Sequence, residues 1–329
     1  MYALVAEPTE RILGYSLGEL IDAEGELQQE LFAQARWVRQ QYQMDQVHLR
    51  GVIEISNFCQ KNCNYCAMRA ANQKLDRYRL SAAEILDIAA QIHRLGIGTL
   101  FLQAGQDPEC DAILQEVIPT AKRQFGLHIL LCLGEYPRAS YERWRALGAD
   151  SYILKFETSE PAGYRQIAYT SLTRRLQCIR WLQELGFQVG TGNIVGLPGQ
   201  TLDTLVRDVL LTQEIQPDFA SASPFIANEN TPFSEHKSGS LRRTLNIMAI
   251  FRMLLPQALI PTVSALEKLE PGGQLAGLNA GANVITINFT PPQCRTKYVI
   301  YSQRRFVVSL DHARTIIQQA GMTVRPVAI

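Results

Sequence analysis

Ala146-Leu147-Gly148-Ala149-Asp150-Ser151-Tyr152-Ile153-Leu154 ends a helical pattern, turns at a glycine and enters a β-prone run. The same phrase occurs as Arg94-Leu95-Gly96 before Thr99-Leu100-Phe101-Leu102, and as Gln124-Phe125-Gly126 before Ile129-Leu130-Leu131. It recurs as Glu184-Leu185-Gly186 before Gln188-Val189-Gly190, and as Asn279-Ala280-Gly281 before Asn283-Val284-Ile285-Thr286-Ile287. A glycine just past a helix is the usual left-handed cap, and a short loop then feeds a strand. Repetition of this unit means βα after βα, and hence a parallel sheet.

Strands are expected at 50–56, 98–104, 127–133, 150–156, 188–194, 218–224, 259–264 and 282–288. Amphipathic helices lie between them; Ser81 to Leu95 opens on a capping box formed by Ser81 and Glu84. The fold class is α/β, and the strand number favours a (β/α)8 TIM barrel over an open doubly wound sheet. A dinucleotide fold needs a glycine-rich fingerprint after its first strand, whereas this strand runs into Ser56-Asn57-Phe58-Cys59. Three regions follow: an N-terminal helical extension over 1–47, the barrel over 48–293, and a C-terminal extension over 294–329 that closes the barrel.

Lys+Arg 32 against Asp+Glu 31 leaves a net charge of +1 on 329 residues. That balance argues against nucleic-acid binding through a broad basic field. No apolar run approaches the roughly 18–20 residues of a membrane span, and Met1 to Pro8 lacks the basic start and apolar region of a signal peptide. A cytoplasmic protein acting on a small molecule is the expectation.

Barrel chemistry sits on the loops after the strands. The loop after the first strand reads Cys59-Gln60-Lys61-Asn62-Cys63-Asn64-Tyr65-Cys66. Structural zinc sites take four protein ligands, commonly from paired knuckles, but Cys110, Cys132, Cys178 and Cys294 are scattered singly. A 4Fe-4S cluster held by three thiolates instead leaves one iron open to a small molecule. The spacing, Tyr65 beside the third cysteine and the position after the first strand together resemble the radical S-adenosylmethionine (SAM) superfamily.

The resemblance extends over about residues 48–293, most specifically to the iron-only hydrogenase maturase HydE family, with methylornithine synthase and biotin synthase as neighbours. It is carried by Arg50 to Cys59, Asp76 to Ser81, Leu102-Gln103-Ala104-Gly105-Gln106-Asp107-Pro108 and Leu133-Gly134-Glu135-Tyr136-Pro137. Glu157-Thr158, Val195-Gly196-Leu197-Pro198-Gly199-Gln200-Thr201, Glu270-Pro271-Gly272-Gly273 and Gly281 to Ile285 add to it. The implied cofactors are one 4Fe-4S cluster on Cys59, Cys63 and Cys66, and SAM, which chelates the open iron. One electron then cleaves the sulfonium, and the 5′-deoxyadenosyl radical abstracts a substrate hydrogen. The implied reductant is a ferredoxin or flavodoxin. Glu157 and Arg175 would take the SAM amino and carboxylate groups, a carboxylate facing an ammonium and a guanidinium fork facing a carboxylate. Tyr65, Gln103, Gln106 and the segment Gly192, Ile194, Gly196 would complete the cofactor contacts.

Departures from the relatives shape the substrate reading. The cysteines of a second, biotin synthase-type cluster are missing, since Gly190 to Asn193 stand where one would fall and Cys132 is the single match; no second cluster is expected. The accessory C-terminal cysteine triplet of some maturases is reduced to Cys294. An Arg-His pair before the strand-four glutamate is replaced by Lys155-Phe156, and a Thr-Thr pair by Val263-Ser264. A small, carboxylate-bearing substrate is expected, met by Glu135, Lys155, Ser264 and Asn288; Tyr298 and Tyr301 follow the last strand, where packing rather than capping the pocket is the expected role. The histidines, among them His48, His93 and His128, are read as structural. A true hydrogenase maturase, an amino-acid mutase of the methylornithine synthase kind and a non-catalytic iron–sulfur carrier remain alternatives at this stage.

Overall fold

The computed structural model describes residues 11–302 and 304–326. A hairpin of β1 (Arg11–Ile12) and β2 (Tyr15–Ser16) leads into α1 (Leu17–Ile21) and α2 (Gly25–Gln41). The alternating region runs β3 (Gln46–Ser56), α3 (Ala82–Arg94), β4 (Thr99–Ala104), α4 (Cys110–Phe125), β5 (His128–Cys132), α5 (Arg138–Ala146) and β6 (Ser151–Ile153). It continues through α6 (Pro161–Ala168), α7 (Leu172–Glu184), β7 (Gln188–Val195), α8 (Leu202–Ile215), β8 (Phe219–Pro224) and α9 (Leu241–Leu254). After α10 (Ser264–Leu269), α11 (Gly273–Asn279) and β9 (Val284–Asn288) come α12 (Pro292–Arg295), α13 (Leu310–Gln319) and β10 (Thr323–Val324).

Seven parallel strands curl in the order β9-β3-β4-β5-β6-β7-β8. The expected full strand over 259–264 is not formed. Residues 259–261 make isolated parallel bridges instead, Leu259 to Phe219 and Pro261 to Val284, which link β8 to β9. Pro261 has no N–H for a ladder, and Ser264 already opens α10. The strand expected at 150–156 is shortened to Ser151–Ile153, and Glu157 rejoins β7 through an isolated parallel bridge to Asn193. Short β10, absent from the sequence reading, pairs in parallel with the start of β3, Thr323 opposite Gln46. The capping box of Ser81 and Glu84 and the left-handed caps at Gly126 and Gly148 are present.

Period-two alternation sorts the strand residues. Ile53 and Ile55, Leu100 and Leu102, and Ile129 and Leu131 are buried against the surrounding helices. The alternate positions Arg50, Val52 and Glu54, Phe101 and Gln103, and Leu130 and Cys132 turn toward the lumen. Val52, Phe101, Leu130 and Phe219 form an apolar floor, and the Arg50 guanidinium stacks 4.5 Å from the Phe219 ring centre. Above it lies a cavity of about 330 Å³ at the C-terminal strand ends. Below it His48, His128, Asp218 and Arg325 line a separate, wetter mouth.

Candidate functional site

The cysteine loop is shaped by backbone capture. Arg77 donates to the carbonyls of Asn57, Met68, Arg69 and Asn72, which gathers both ends of the loop. Asn57 Nδ2 binds the Asp76 and Lys297 carbonyls, and Ser56 Oγ donates to Asp107, itself paired with Arg79. Gly105 is required where the second strand end meets the loop: a Cβ there would stand 2.1 Å from the Phe58 carbonyl oxygen. Cys59 Sγ accepts the backbone N–H groups of Lys61 and Gln106, each at 3.4 Å.

Cys59, Cys63 and Cys66 all line the upper cavity, and all are free thiols. Burial pushes the Cys63 thiol up to about 11, with the Cys59 thiol adding to it; burial raises Cys66 still further. Thiolate character at these positions therefore requires a bound cation. Among the described residues no three His, Cys, Asp or Glu side chains converge on a single metal ion. The fit to iron and sulfide rests on the donor set, three thiols around one cavity with the N–H donors that steady Cys59.

Across the cavity, Glu157 sits at φ 65°, a left-handed conformation rare for a side-chain-bearing residue. Thr158 N donates to Phe156 O at 2.8 Å, so Glu157 is the centre of a strained three-residue turn. Its carboxylate accepts from Tyr65 Oη at 3.3 Å through Oε1. Lys155 Nζ stands 3.2 Å from Oε2 without hydrogen-bond alignment, leaving a buried acceptor unfilled.

Arg175, on α7, is almost wholly buried. Its Nε donates to Tyr164 Oη at 2.6 Å and lies 3.0 Å from Glu135 Oε1. Burial disfavours its charge, but Tyr164, Glu135 and Glu157 outweigh that and raise its pKa. Glu135 is correspondingly lowered, burial being overcome by Arg175 and Lys61, whose Nζ is 2.8 Å from Oε2. No hydrogen bond among the described residues leaves the terminal nitrogens of Arg175. A carboxylate oxygen that accepts no hydrogen bond, with the Lys155 ammonium beside it, and two guanidinium nitrogens without a hydrogen bond match the two ends of an α-amino acid, so the residues fit SAM as well as the cluster.

Gln103, Gln106, Tyr65, Ile194, Lys155, Ser264 and Asn288 line this same cavity. Glu135, read from the sequence as a substrate group, does not reach its wall: Lys61, Arg175 and Tyr164 hold the carboxylate behind Arg175. Gly192 and Gly196 are not on the wall either. A Cβ on Gly192 would meet the Ser221 carbonyl oxygen at 1.9 Å, and one on Gly196 would meet Gly239 Cα at 2.4 Å, so both serve close backbone packing. Cys132 faces the cavity, its thiol raised to about 12 by burial.

Several residues escaped the sequence reading. Tyr164 carries no motif, and its role comes from Glu135 and Arg175 on neighbouring elements; Arg77 lies within the Asp76–Ser81 match, but its grip on four loop carbonyls is visible only in the fold. Arg305, from the C-terminal extension, reaches over the cavity to bind Glu54 through two N–O contacts of 2.5 Å. Tyr298 and Tyr301 line the same roof.

Comparison with known proteins agrees with this geometry. Residues 53–211 match the Radical SAM superfamily. The chain is 40% identical over 285 residues to the [FeFe] hydrogenase maturase subunit HydE of Thermotoga maritima, covering 86% of this chain and 82% of that one. It is 30% identical to 3-methylornithine synthase of Methanosarcina acetivorans, covering 81% and 76%. The crystal structure of methylornithine synthase (PylB) superposes with a TM-score of 0.83 at 25% identity, over 94% of this chain and 93% of that one. A three-thiol loop after the first strand, facing a carboxylate and a guanidinium across one cavity in a chain so similar to HydE, has one reading: this protein is a member of the radical SAM superfamily, an enzyme of the group that includes HydE and methylornithine synthase, dependent on a 4Fe-4S cluster and SAM.

Proposed function

We propose that this enzyme abstracts hydrogen from a small, carboxylate-bearing molecule held in the upper cavity, with Cys59, Cys63 and Cys66 as the cluster ligands. When bound, cluster and SAM together supply a carbon-centred radical at the cavity. The chain's own residues do the rest. Glu157 Oε2 takes the SAM ammonium and Arg175 its carboxylate, while Glu135, Tyr164 and Lys61 keep Arg175 charged and oriented. Tyr65 steadies Glu157, and Gln106 lies against Cys59. Gln103 and Ile194 form further wall.

Lys155, Ser264 and Asn288 are the substrate-facing polar groups, above an apolar floor that excludes water. Lys155 offers a carboxylate a point charge where the HydE pattern has an arginine fork, which favours a substrate different from that of HydE. Tyr298, Tyr301 and Arg305 of the C-terminal extension act as the roof. A one-electron donor of the ferredoxin or flavodoxin kind, in the cytoplasm, completes the system.

The observation that carries this reading is that three thiols, Glu157 and Arg175 share one cavity with Lys155. The test is anaerobic reconstitution, iron counting, and assay for 5′-deoxyadenosine with dithionite and a panel of deuterated amino and carboxylic acids. Deuterium transferred to deoxyadenosine identifies the substrate class. Iron uptake without SAM cleavage under any condition favours the carrier alternative.

A further inference from the structure

A strained backbone persists only where surrounding contacts over-determine it. Glu157 has such a backbone, and its partners can be followed outward. Glu157 N donates to Gly192 O at 3.0 Å, and Ile194 N donates to Glu157 O at 2.8 Å, so the turn is laid along β7. Behind that strand end lies Asp208 of α8, fully buried and off the cavity wall. Its Oδ1 accepts Ser159 N at 2.6 Å. Its Oδ2 accepts Asn193 Nδ2 at 3.0 Å and Gln200 Nε2 at 3.1 Å. Gln200 in turn accepts Gly196 N and Leu197 N and donates to Ile194 O, which folds the loop after β7. One carboxylate thus ties the residue two beyond Glu157, the residue bridged to Glu157 and the loop that follows.

We infer that Asp208 is a positioning residue for SAM binding: it clamps Ser159, Asn193 and Gln200 and thereby holds Glu157 in its left-handed turn with the carboxylate facing the cavity. Without Asp208, Ser159 N and Asn193 Nδ2 become buried donors with no acceptor. Rotation of the Thr158–Ser159 peptide relieves both and lets Glu157 relax to an ordinary conformation, withdrawing its carboxylate. This inference rests on Glu157 as a SAM ligand.

The test compares wild type with Asp208→Ala, Asp208→Asn and Asn193→Ala, each reconstituted anaerobically. SAM affinity is measured by equilibrium dialysis, and backbone hydrogen exchange over residues 154–160 by mass spectrometry without SAM. Asp208→Ala should keep its iron, exchange faster over 154–160, and bind SAM about tenfold or more weakly. Asp208→Asn should fall between, because Oδ1 still accepts Ser159 N while its amide opposes two donors. Asn193→Ala removes one donor and gives a smaller shift in the same direction, which keeps the inference testable if Asp208→Ala fails to fold. Unchanged exchange over 154–160 in every variant that retains iron overturns the clamp, as does unchanged SAM affinity. A wild type that binds no SAM overturns the functional reading instead, and the exchange measurement still decides whether Asp208 holds the turn.

Discussion

Glu54, at the lumen face of the first barrel strand, and Arg305, on the C-terminal extension, form a bidentate ion pair whose side chains are 3% and 8% exposed. The pair ties the roof of the cavity to its wall, across 251 residues of sequence. Arg305→Ala leaves the Glu54 carboxylate buried and uncompensated, and should destabilise the protein by about 3 kcal/mol in chemical denaturation. The double variant Glu54→Gln, Arg305→Met should recover part of that loss. A stability within about 0.5 kcal/mol of wild type for Arg305→Ala would show that water reaches the pair.

Each cluster cysteine is indispensable under the proposed assignment. Cys59→Ala, Cys63→Ala and Cys66→Ala should each lower iron from about four per chain to near zero after reconstitution. Cys132→Ala, which alters the cavity wall alone, should keep its iron. Full iron in any of the first three removes that residue from the ligand set.

Glu135 acts through Arg175. Glu135→Gln keeps the shape but withdraws a charge that Arg175 and Lys61 share. SAM affinity should fall about tenfold, the equivalent of about 1.4 kcal/mol, with iron content unchanged. A Glu135→Gln enzyme with wild-type SAM affinity and a raised substrate KM would return Glu135 to the substrate role expected from sequence.

The lower mouth of the barrel sets an acid limit. Burial, with Arg325, Arg50 and Arg252 nearby, lowers His48 to about 4, and burial lowers His128 against the opposing pull of Asp150. Both depressed bases are protonated first in the unfolded chain, so stability is present above about pH 6.5 and is lost as pH falls toward 4. His48 is partly exposed, and its share between pH 7 and 5 should be about 1 kcal/mol after solvent screening. Denaturant midpoints at the two pH values, in wild type and His48→Gln, measure it; an identical pH slope in both places the loss elsewhere.

Local signals were legible in the sequence where short stretches decide the outcome. Gly96, Gly126, Gly148, Gly186 and Gly281 all adopt positive φ, as a repeated αβ turn requires. The three cysteines, Tyr65, Glu157 and Arg175 reach one cavity because a barrel brings successive strand ends to one face. The misreadings have physical causes. A β-prone run at 259–264 lost its ladder to Pro261 and to the helix starting at Ser264. Gly192 and Gly196, expected along the cofactor, have the space beside each Cα filled by neighbouring backbone, which the sequence alone does not show. Glu135 looked like a charge awaiting substrate, but three protein groups already claim it.

By itself the sequence determined the parallel α/β architecture, the thiol-bearing loop and its place after the first strand. These depend on periodicity, glycine caps and spacing within a few residues, and such features act through short-range sterics and hydrogen bonding. Only the tertiary structure decided which charges are spent and which remain available. Among the described residues Arg175 keeps two nitrogens without a hydrogen bond because Tyr164 and Glu135 take the third, and Glu157 keeps an oxygen that faces the Lys155 ammonium but accepts no hydrogen bond. Those outcomes depend on burial and on partners distant in sequence, where a lowered dielectric makes each pairing strong and each vacancy costly.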